Sequence, residues 1–233
     1  MTSLTNAAPP TAQSCDDQPV RELGRASPLA IAAELLCMIA AAALLAVHLM
    51  RLAGTPGIVR WYTPVLLILA WLLADFASGI VHWSADTWGK ESMPVLGPRF
   101  LRPFRVHHVN PDDFLQRTFV DTNGDVALVV LPVLIGALFI PLASEGARAA
   151  TTFVVALAAF ALPTNQVHQW AHMPRPPAPI RFLQGIGIIL SREQHVLHHE
   201  APFAMNYCIT NGWCNRLLTA VTSSRAPSAS SRR

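Results

Sequence analysis

The sequence predicts an all-α membrane protein, in which four transmembrane helices carry a cytoplasmic histidine-rich cap and a short interfacial helix. Three observations lead there. The 233 residues are 52% hydrophobic and only 13% charged, about half the charged fraction of a soluble domain, with a mean hydropathy of +0.36. Four stretches reach the roughly 20 apolar residues needed to cross ~30 Å of hydrocarbon. The basic residues gather on one side of the topology those stretches define. An ordinary soluble enzyme and a disordered chain are both excluded. A net charge of +3 is too small to suggest a nucleic-acid partner. Cys15, Cys37, Cys208 and Cys214 form no C-x2-C pair, so neither a zinc ribbon nor a disulfide scaffold is indicated.

Residues 1–28 hold Asp16, Asp17 and several prolines without an apolar core, which reads as a flexible cytoplasmic tail and not as a signal peptide. One domain then occupies 29–218. Its spans fall at about 29–50, which holds Glu34, and 60–82, which holds Asp75. The other two, about 126–143 with Pro132 and Pro141, and 149–168, are uncharged. Short links make the first two spans one helical hairpin and the last two another. With the N-terminus inside, 14 Lys and Arg face the cytoplasm and three (Arg51, Arg60, Arg148) face out, as the positive-inside rule expects. The expected location is a bacterial inner membrane, with both termini and the 82–124 loop in the cytoplasm. Met173 to Pro179 (MPRPPAP) reads as a stiff, non-helical connector. Ile180 to Leu190 (IRFLQGIGIIL) is apolar but too short to span, and reads as the interfacial helix. Residues 219–233, rich in Ser and Arg, read as a flexible tail.

Nine histidines are many for so apolar a chain. His48 lies near the outer end of span one and reads as structural. The other eight, His82, His107, His108, His168, His172, His195, His198 and His199, all fall on the cytoplasmic side. His168 and His172 are i, i+4 on one helix face, and His195, His198 and His199 share a side if helical. Asp75, Gly79, His82 and Asp86 form one stripe down span two. Neutral imidazole is the common nitrogen ligand of iron, zinc and copper, and bound histidines donate their second N–H to a carboxylate or carbonyl. Asp75, Asp86, Asp112, Asp113, Asp121, Asp125, Asn165 and Glu200 are the candidates for that outer support. Arg99, Arg102 and Arg105 are candidates for holding a lipid phosphate, beside the plainer reading that they only set topology. Trp83, Trp88, Trp170 and Trp213 belong at the interface.

Zinc takes three or four ligands, so eight histidines oversupply it. Haem would ask for two histidines on facing spans, and only His48 lies well inside one. A pair of irons fits best, and such a centre activates O2 for attack on an unactivated C–H bond. A hydroxylase on the same site, a haem electron carrier, a zinc hydrolase lacking the usual H-E-x-x-H helix and a non-enzymatic anchor remain open on the residues alone.

Five blocks of sequence narrow this. DFASGIVHWSADTWG (75–89), FRVHHVNP (104–111), the run from Arg117 through Asn123-Gly124-Asp125, NQVHQWAH (165–172) and QHVLHHEAPFAMNYCITNGWCN (194–215) together resemble the Kua/CarF-type family of membrane lipid desaturases. The resemblance covers about residues 60–218. That family includes plasmanylethanolamine desaturases and the plant enzyme that desaturates palmitate on phosphatidylglycerol. The resemblance implies a di-iron, O2-dependent desaturase drawing electrons from a cytochrome b5-like or ferredoxin-like protein. By position it makes the eight cytoplasmic histidines the ligands of two iron ions. Animal members carry further histidines where Gln194 and Phe203 stand here, and Asn206-Tyr207-Cys208 is closer to the plant-type ending. The expected reaction converts the 1-O-alkyl chain of plasmanylethanolamine to a vinyl ether, the step that makes a plasmalogen. The alternative is desaturation near the carboxyl end of an acyl chain, as in phosphatidylglycerol palmitate; a haem-binding electron carrier is the alternative from another class.

Overall fold

The computed structural model describes residues 27–223, and all regular elements among them are helical. Of the two expected tails, 1–28 and 219–233, residues 1–26 and 224–233 lie outside the described residues. Helix α1 (Pro28–Ala53) opens where Ser27 Oγ accepts the Ala30 amide at 3.2 Å and Pro28 takes the first helical position, where its missing N–H costs nothing. Helix α2 (Thr63–Thr87) is followed by a π-helical turn at Gly97–Leu101, α3 (Arg102–Val109) and α4 (Pro111–Leu115). Then come α5 (Phe119–Leu138), α6 (Glu145–Ala161), α7 (Thr164–His172) and α8 (Ala178–Gly185). Helix α9 (Arg192–Val196) runs on into a 3-10 turn at Leu197–His199, and α10 (Asn215–Ser223) closes the described chain.

Among the described residues, four helices are long and apolar enough to cross a membrane: α1, α2, α5 and the composite Glu145–His172. The protein is a multi-pass membrane protein. The composite breaks at Leu162–Pro163 because Pro163 has no N–H and its ring crowds the preceding turn. Three span boundaries differ by five residues or more from the sequence reading. Helix α2 continues past 82 to Thr87, which keeps His82 and Asp86 on one helix. Helix α5 begins at Phe119 and not at 126, because Thr118 Oγ1 accepts the Asp121 amide at 3.3 Å and Thr122 and Asn123 are buried against protein. It ends at Leu138 and not at 143, ahead of Pro141, which disfavours helix in the residue before it.

The expected hairpins are connected as read, but the helices pack across them: α1 lies on α5, and α2 on α6. Helices α1 and α5 run parallel. At one end Gly124 backs onto Glu34, so closely that a Cβ there would sit 2.6 Å from the Glu34 Cβ. At the other end His48 Nε2–H donates to the Leu134 carbonyl at 2.9 Å. Buried Asn123, Ala127, Val130, Leu134 and Ala137 form the inner stripe of α5. Alanines on that stripe and at Ala41 and Ala158 let backbones approach where no hydrophobic effect pulls helices together. Leu36, Ile39, Ile68, Leu69, Val129 and Val133 face outward, as lipid-contacting residues do.

Beyond the spans, two sequence readings are corrected. The interfacial segment is helical at Ala178–Gly185, not 180–190: Pro179 fits the first turn, and Gly187 (φ 71°) turns the chain out of helix. Helix α10 carries ordered chain through Ser223, past the expected boundary at 218, because Leu218 and Thr222 are buried.

Candidate metal centre

The eight histidines read from the sequence arrive from four places. His82 comes from the last turns of α2, His107 and His108 from α3, and His168 and His172 from α7. His195 comes from α9, and His198 and His199 from the 3-10 turn after it. Ser191 starts that segment by capping the Gln194 amide at 3.3 Å, and the switch from α to 3-10 swings His198 and His199 to different neighbours.

The structure sorts these residues into two adjoining groups. The first is His107, His168, His172, His195 and His199; the second is His82, Asp86, His108 and His198. Within each, one candidate ligand atom per residue lies within 4.8 Å of all the others. In the first group His195 Nε2 stands 2.6 Å from His172 Nε2, 2.9 Å from His168 Nε2 and 3.1 Å from His199 Nε2. In the second, His198 Nε2 is 3.1 Å from His82 Nε2. Asp86 Oδ2 lies 3.1, 3.4 and 3.6 Å from the Nε2 atoms of His108, His82 and His198. The His108 and His199 rings, one from each group, have centroids 5.1 Å apart.

These contacts are unsatisfiable as ordinary hydrogen bonds. A neutral imidazole has one N–H, so His195 Nε2 serves at most one of its three close nitrogens, leaving lone pair against lone pair at the rest. Both ring nitrogens of His107, and Nδ1 of His108, His195 and His199, are buried without a partner, as is Asp86 Oδ1. Unmade hydrogen bonds on buried polar atoms cost about 1–3 kcal/mol each. A cation shared by the facing ring nitrogens, one from each imidazole, relieves their crowding, and the donor set suits transition metals. Burial, reinforced by neighbouring imidazoles, holds His107 and His195 well below the usual imidazole range, His198 at about 3 and His199 at about 4. All four are therefore neutral at neutral pH, the form that offers a lone pair.

Two histidines are also held from behind. His82 Nδ1–H donates to the Tyr207 carbonyl at 3.1 Å, and His198 Nδ1–H to the Met205 carbonyl at 2.7 Å. Each bond fixes the tautomer that turns an Nε2 lone pair into the second group. Neither carbonyl was read from the sequence, since any residue type can supply one.

The expected outer carboxylates separate under the structure. Asp86 stands among the ligand nitrogens themselves. Asp75 touches no histidine; its partners are backbone amides 135 to 139 residues away. Asp113 pairs with Arg117 at 3.5 Å, and Asp121 accepts from Thr118 Oγ1 at the start of α5. Asn165 Nδ2–H donates to the Thr122 carbonyl at 2.9 Å, tying α7 to α5. Asp125 lies half-buried on α5, and Glu200 is exposed beyond the 3-10 turn. Arg105 Nη2 donates to the Trp88 and Gly89 carbonyls at 2.9 and 3.0 Å, which ties it to the chain end of α2. Arg102 opens α3, half-buried. The side chains of Arg99 and Asp112 lie outside the described residues.

The sequence reading passed over Gln169. Its Nε2 reaches the Phe114 carbonyl at 2.8 Å and the Arg117 carbonyl and Thr122 Oγ1 at 3.3 Å. Its Oε1 accepts from Gln166 Nε2 at 2.9 Å. It sits next to His168 and locks α7 to α4 and α5.

Four membrane-crossing helices among the described residues, with a buried cluster of imidazoles and one carboxylate at one end, define a multi-pass membrane protein with a centre able to hold metal. Residues 71–225 match the lipid desaturase domain, and the chain belongs to that family of oxidoreductases. It is 42% identical over 195 residues to plasmanylethanolamine desaturase of Myxococcus xanthus, covering 84% of this chain and 69% of that one. To plasmanylethanolamine desaturase 1 of Mus musculus it is 39% identical, over 75% of this chain and 66% of that one. Fatty acid desaturase 4, chloroplastic, of Arabidopsis thaliana is 36% identical, over 64% of this chain and 45% of that one. The chain thus spans about two thirds of the length of the first two relatives. No solved structure matches it.

Proposed function

We propose that this protein is a di-iron, O2-dependent desaturase that converts the 1-O-alkyl chain of plasmanylethanolamine to a vinyl ether. The observation that carries the reading is the pair of groups, five histidines beside three histidines and a carboxylate, with ring nitrogens too close to satisfy one another. Similarity to two plasmanylethanolamine desaturases supports the substrate. His107, His168, His172, His195 and His199 hold one iron, and His82, Asp86, His108 and His198 the other. Bound iron supplies the activation of O2 that no side chain provides alone. The balance is fixed by the chemistry: two hydrogens leave C1 and C2 of the alkyl chain, a donor protein adds two electrons, solvent adds two protons, and O2 ends as two waters.

The chain's own contribution is orientation and exclusion. Burial keeps the imidazoles neutral and water away from the reacting chain. Backbone carbonyls 205 and 207 turn two histidines inward, and Gln169 and Asn165 hold α7 in register. Because the histidines gather at the ends of α2 and α7 that the arginine distribution puts inside, the site faces the cytoplasmic leaflet of the inner membrane, near the lipid headgroup. The electron donor docks from the same side. Similarity to the plant desaturases supports a second reading, attack near the carboxyl end of an acyl chain.

Lipid mass spectrometry tests both, in cells with and without the gene supplied with an alkylglycerol. A gene-dependent, acid-labile species two mass units below its alkyl ether parent is the expected product. An acyl chain gaining a double bond, with ether lipids unchanged, selects the second reading. No lipid change with iron-loaded protein present overturns both.

A further inference from the structure

Asp75 is fully buried within α2, inside a membrane span, where a carboxylate is expensive and marks function by default. Its Oδ1 accepts the amides of Thr210, Asn211 and Gly212 at 3.2, 2.7 and 2.9 Å, and its Oδ2 that of Cys214 at 2.9 Å. Four backbone donors on one carboxylate are charge-assisted bonds of the stronger kind. The segment they hold is pressed onto α2 along its length. Ser78 Oγ accepts the Ile209 amide at 3.1 Å, and Asn211 Nδ2 donates to the Trp71 carbonyl at 3.3 Å. Gly79 permits the approach, since a Cβ there would lie 2.5 Å from Cys208 Sγ. Gly212, at φ +79°, makes the left-handed turn that carries the chain on so that the Cys214 amide reaches the other oxygen.

The same segment supplies the two carbonyls behind the second metal group. Tyr207 bonds His82, which lies two helical turns along α2 from Asp75, and Met205 bonds His198. At its start Asn206 Nδ2 donates to the Gln194 carbonyl at 3.0 Å, joining it to α9. One clamp therefore governs two ligands that come from different elements.

We infer that Asp75 is a positioning residue: by clamping segment 205–214 onto α2 it fixes the tautomer and aim of His82 and His198, and so, above all, the affinity of one metal site out of two. The inference rests on the two-metal reading above. It makes Asp75 act most on the group containing Asp86, two of whose histidines bond segment 205–214 directly, and less on the five-histidine group, which the segment meets indirectly, through α7 and α9 at Thr164 and Gln194; general support of the fold would not produce that difference.

The test is cobalt(II) titration of the purified, metal-free full chain in detergent, read by its visible absorption and by bound metal. In Asp75→Asn, which keeps the size but loses an acceptor and the charge, one site binds 10- to 100-fold more weakly, the range for lost outer support of a ligand, and the other weakens by a clearly smaller factor. Asp86→Ala, which removes a ligand, identifies the affected site as the same one. Ser78→Ala loosens the same segment more gently and weakens that site by a smaller factor; it carries the test if Asp75→Asn does not fold. Leu134→Ala, in the core between α1 and α5, lowers the thermal midpoint without moving either affinity. Equal weakening of both sites in Asp75→Asn, weakening that tracks thermal midpoint in the manner of a core variant, or two unchanged affinities overturns the inference. Wild-type protein that takes up no cobalt overturns the two-metal reading itself, which separates the two failures.

Discussion

His48 and His107 are both buried histidines in one chain, and they differ in what surrounds their nitrogens. His48 Nε2–H donates to the Leu134 carbonyl at 2.9 Å, and its Nδ1 accepts from Arg51 at 3.3 Å. Arg51 goes on to the Ala137 and Ile140 carbonyls at 3.3 and 3.1 Å, closing the C-terminal end of α5. Every part of that pocket is satisfied by protein. His107 sits against four other imidazoles of its group with neither ring nitrogen partnered. Burial alone therefore does not distinguish a ligand from a structural histidine. Unmet hydrogen-bonding capacity does, because a fold that leaves it unmet pays 1–3 kcal/mol per atom on average unless a cation completes the site.

The comparison breaks most visibly where one nitrogen meets the most others. His195→Ala removes the centre of the five-histidine group, and product falls to the level of cells lacking the gene, with bound iron lost in the purified protein. Retained product would mean that the convergence of rings is not the site. Asp86→Asn is next: it keeps the shape but offers the second group a weaker ligand. Product per folded chain falls at least about tenfold, in the range seen when metal-site support is removed. Unchanged turnover would return Asp86 to the outer role the sequence suggested.

Much of this centre was legible in the sequence, and the part that was not has a physical reason. The eight histidines followed from topology plus helical spacing, since i, i+4 pairs and the placement of spans need only local periodicity. Their division into two groups did not, because adjacent histidines on α3 (His107, His108) and in the 3-10 turn (His198, His199) face different partners, which only the packing of the elements decides. Asp75 was read as support for a histidine. It lies seven residues before His82, about 10 Å along a helix rising 1.5 Å per residue, too far for contact. Its real partners, across more than 130 residues of chain, leave no local periodic signal. The start of α5 was missed because hydropathy cannot tell Thr122 and Asn123 facing a neighbouring helix from the same residues facing water. Gln169 escaped for the same reason.

Gln169→Leu sharpens the contrast from the scaffold side. The substitution strands the Phe114 carbonyl and Gln166, at on the order of 1–3 kcal/mol, and loosens α7, which carries His168 and His172. Turnover per folded chain drops severalfold and affinity weakens at the five-histidine site, while the site containing Asp86 holds. That reverses which site suffers more in Asp75→Asn. Equal loss at both sites would mean that the two groups share one scaffold and that the division has no energetic meaning.

The smallest effect on turnover, and the most telling for the comparison, belongs to His48→Ala. It empties a fully buried position and leaves the Leu134 carbonyl with its helical bond alone, so the thermal midpoint in detergent falls, by a destabilisation on the order of 1–3 kcal/mol. Iron content and product per folded chain stay at wild-type values, because the pocket lies at the opposite end of α1 and α5 from the histidine groups. His48→Gln restores part of the stability, since an amide can again donate to that carbonyl. Iron loss in His48→Ala with no change in stability would show that a histidine satisfied by protein can still belong to the metal centre, and unmet valence would fail as the criterion separating the two regions.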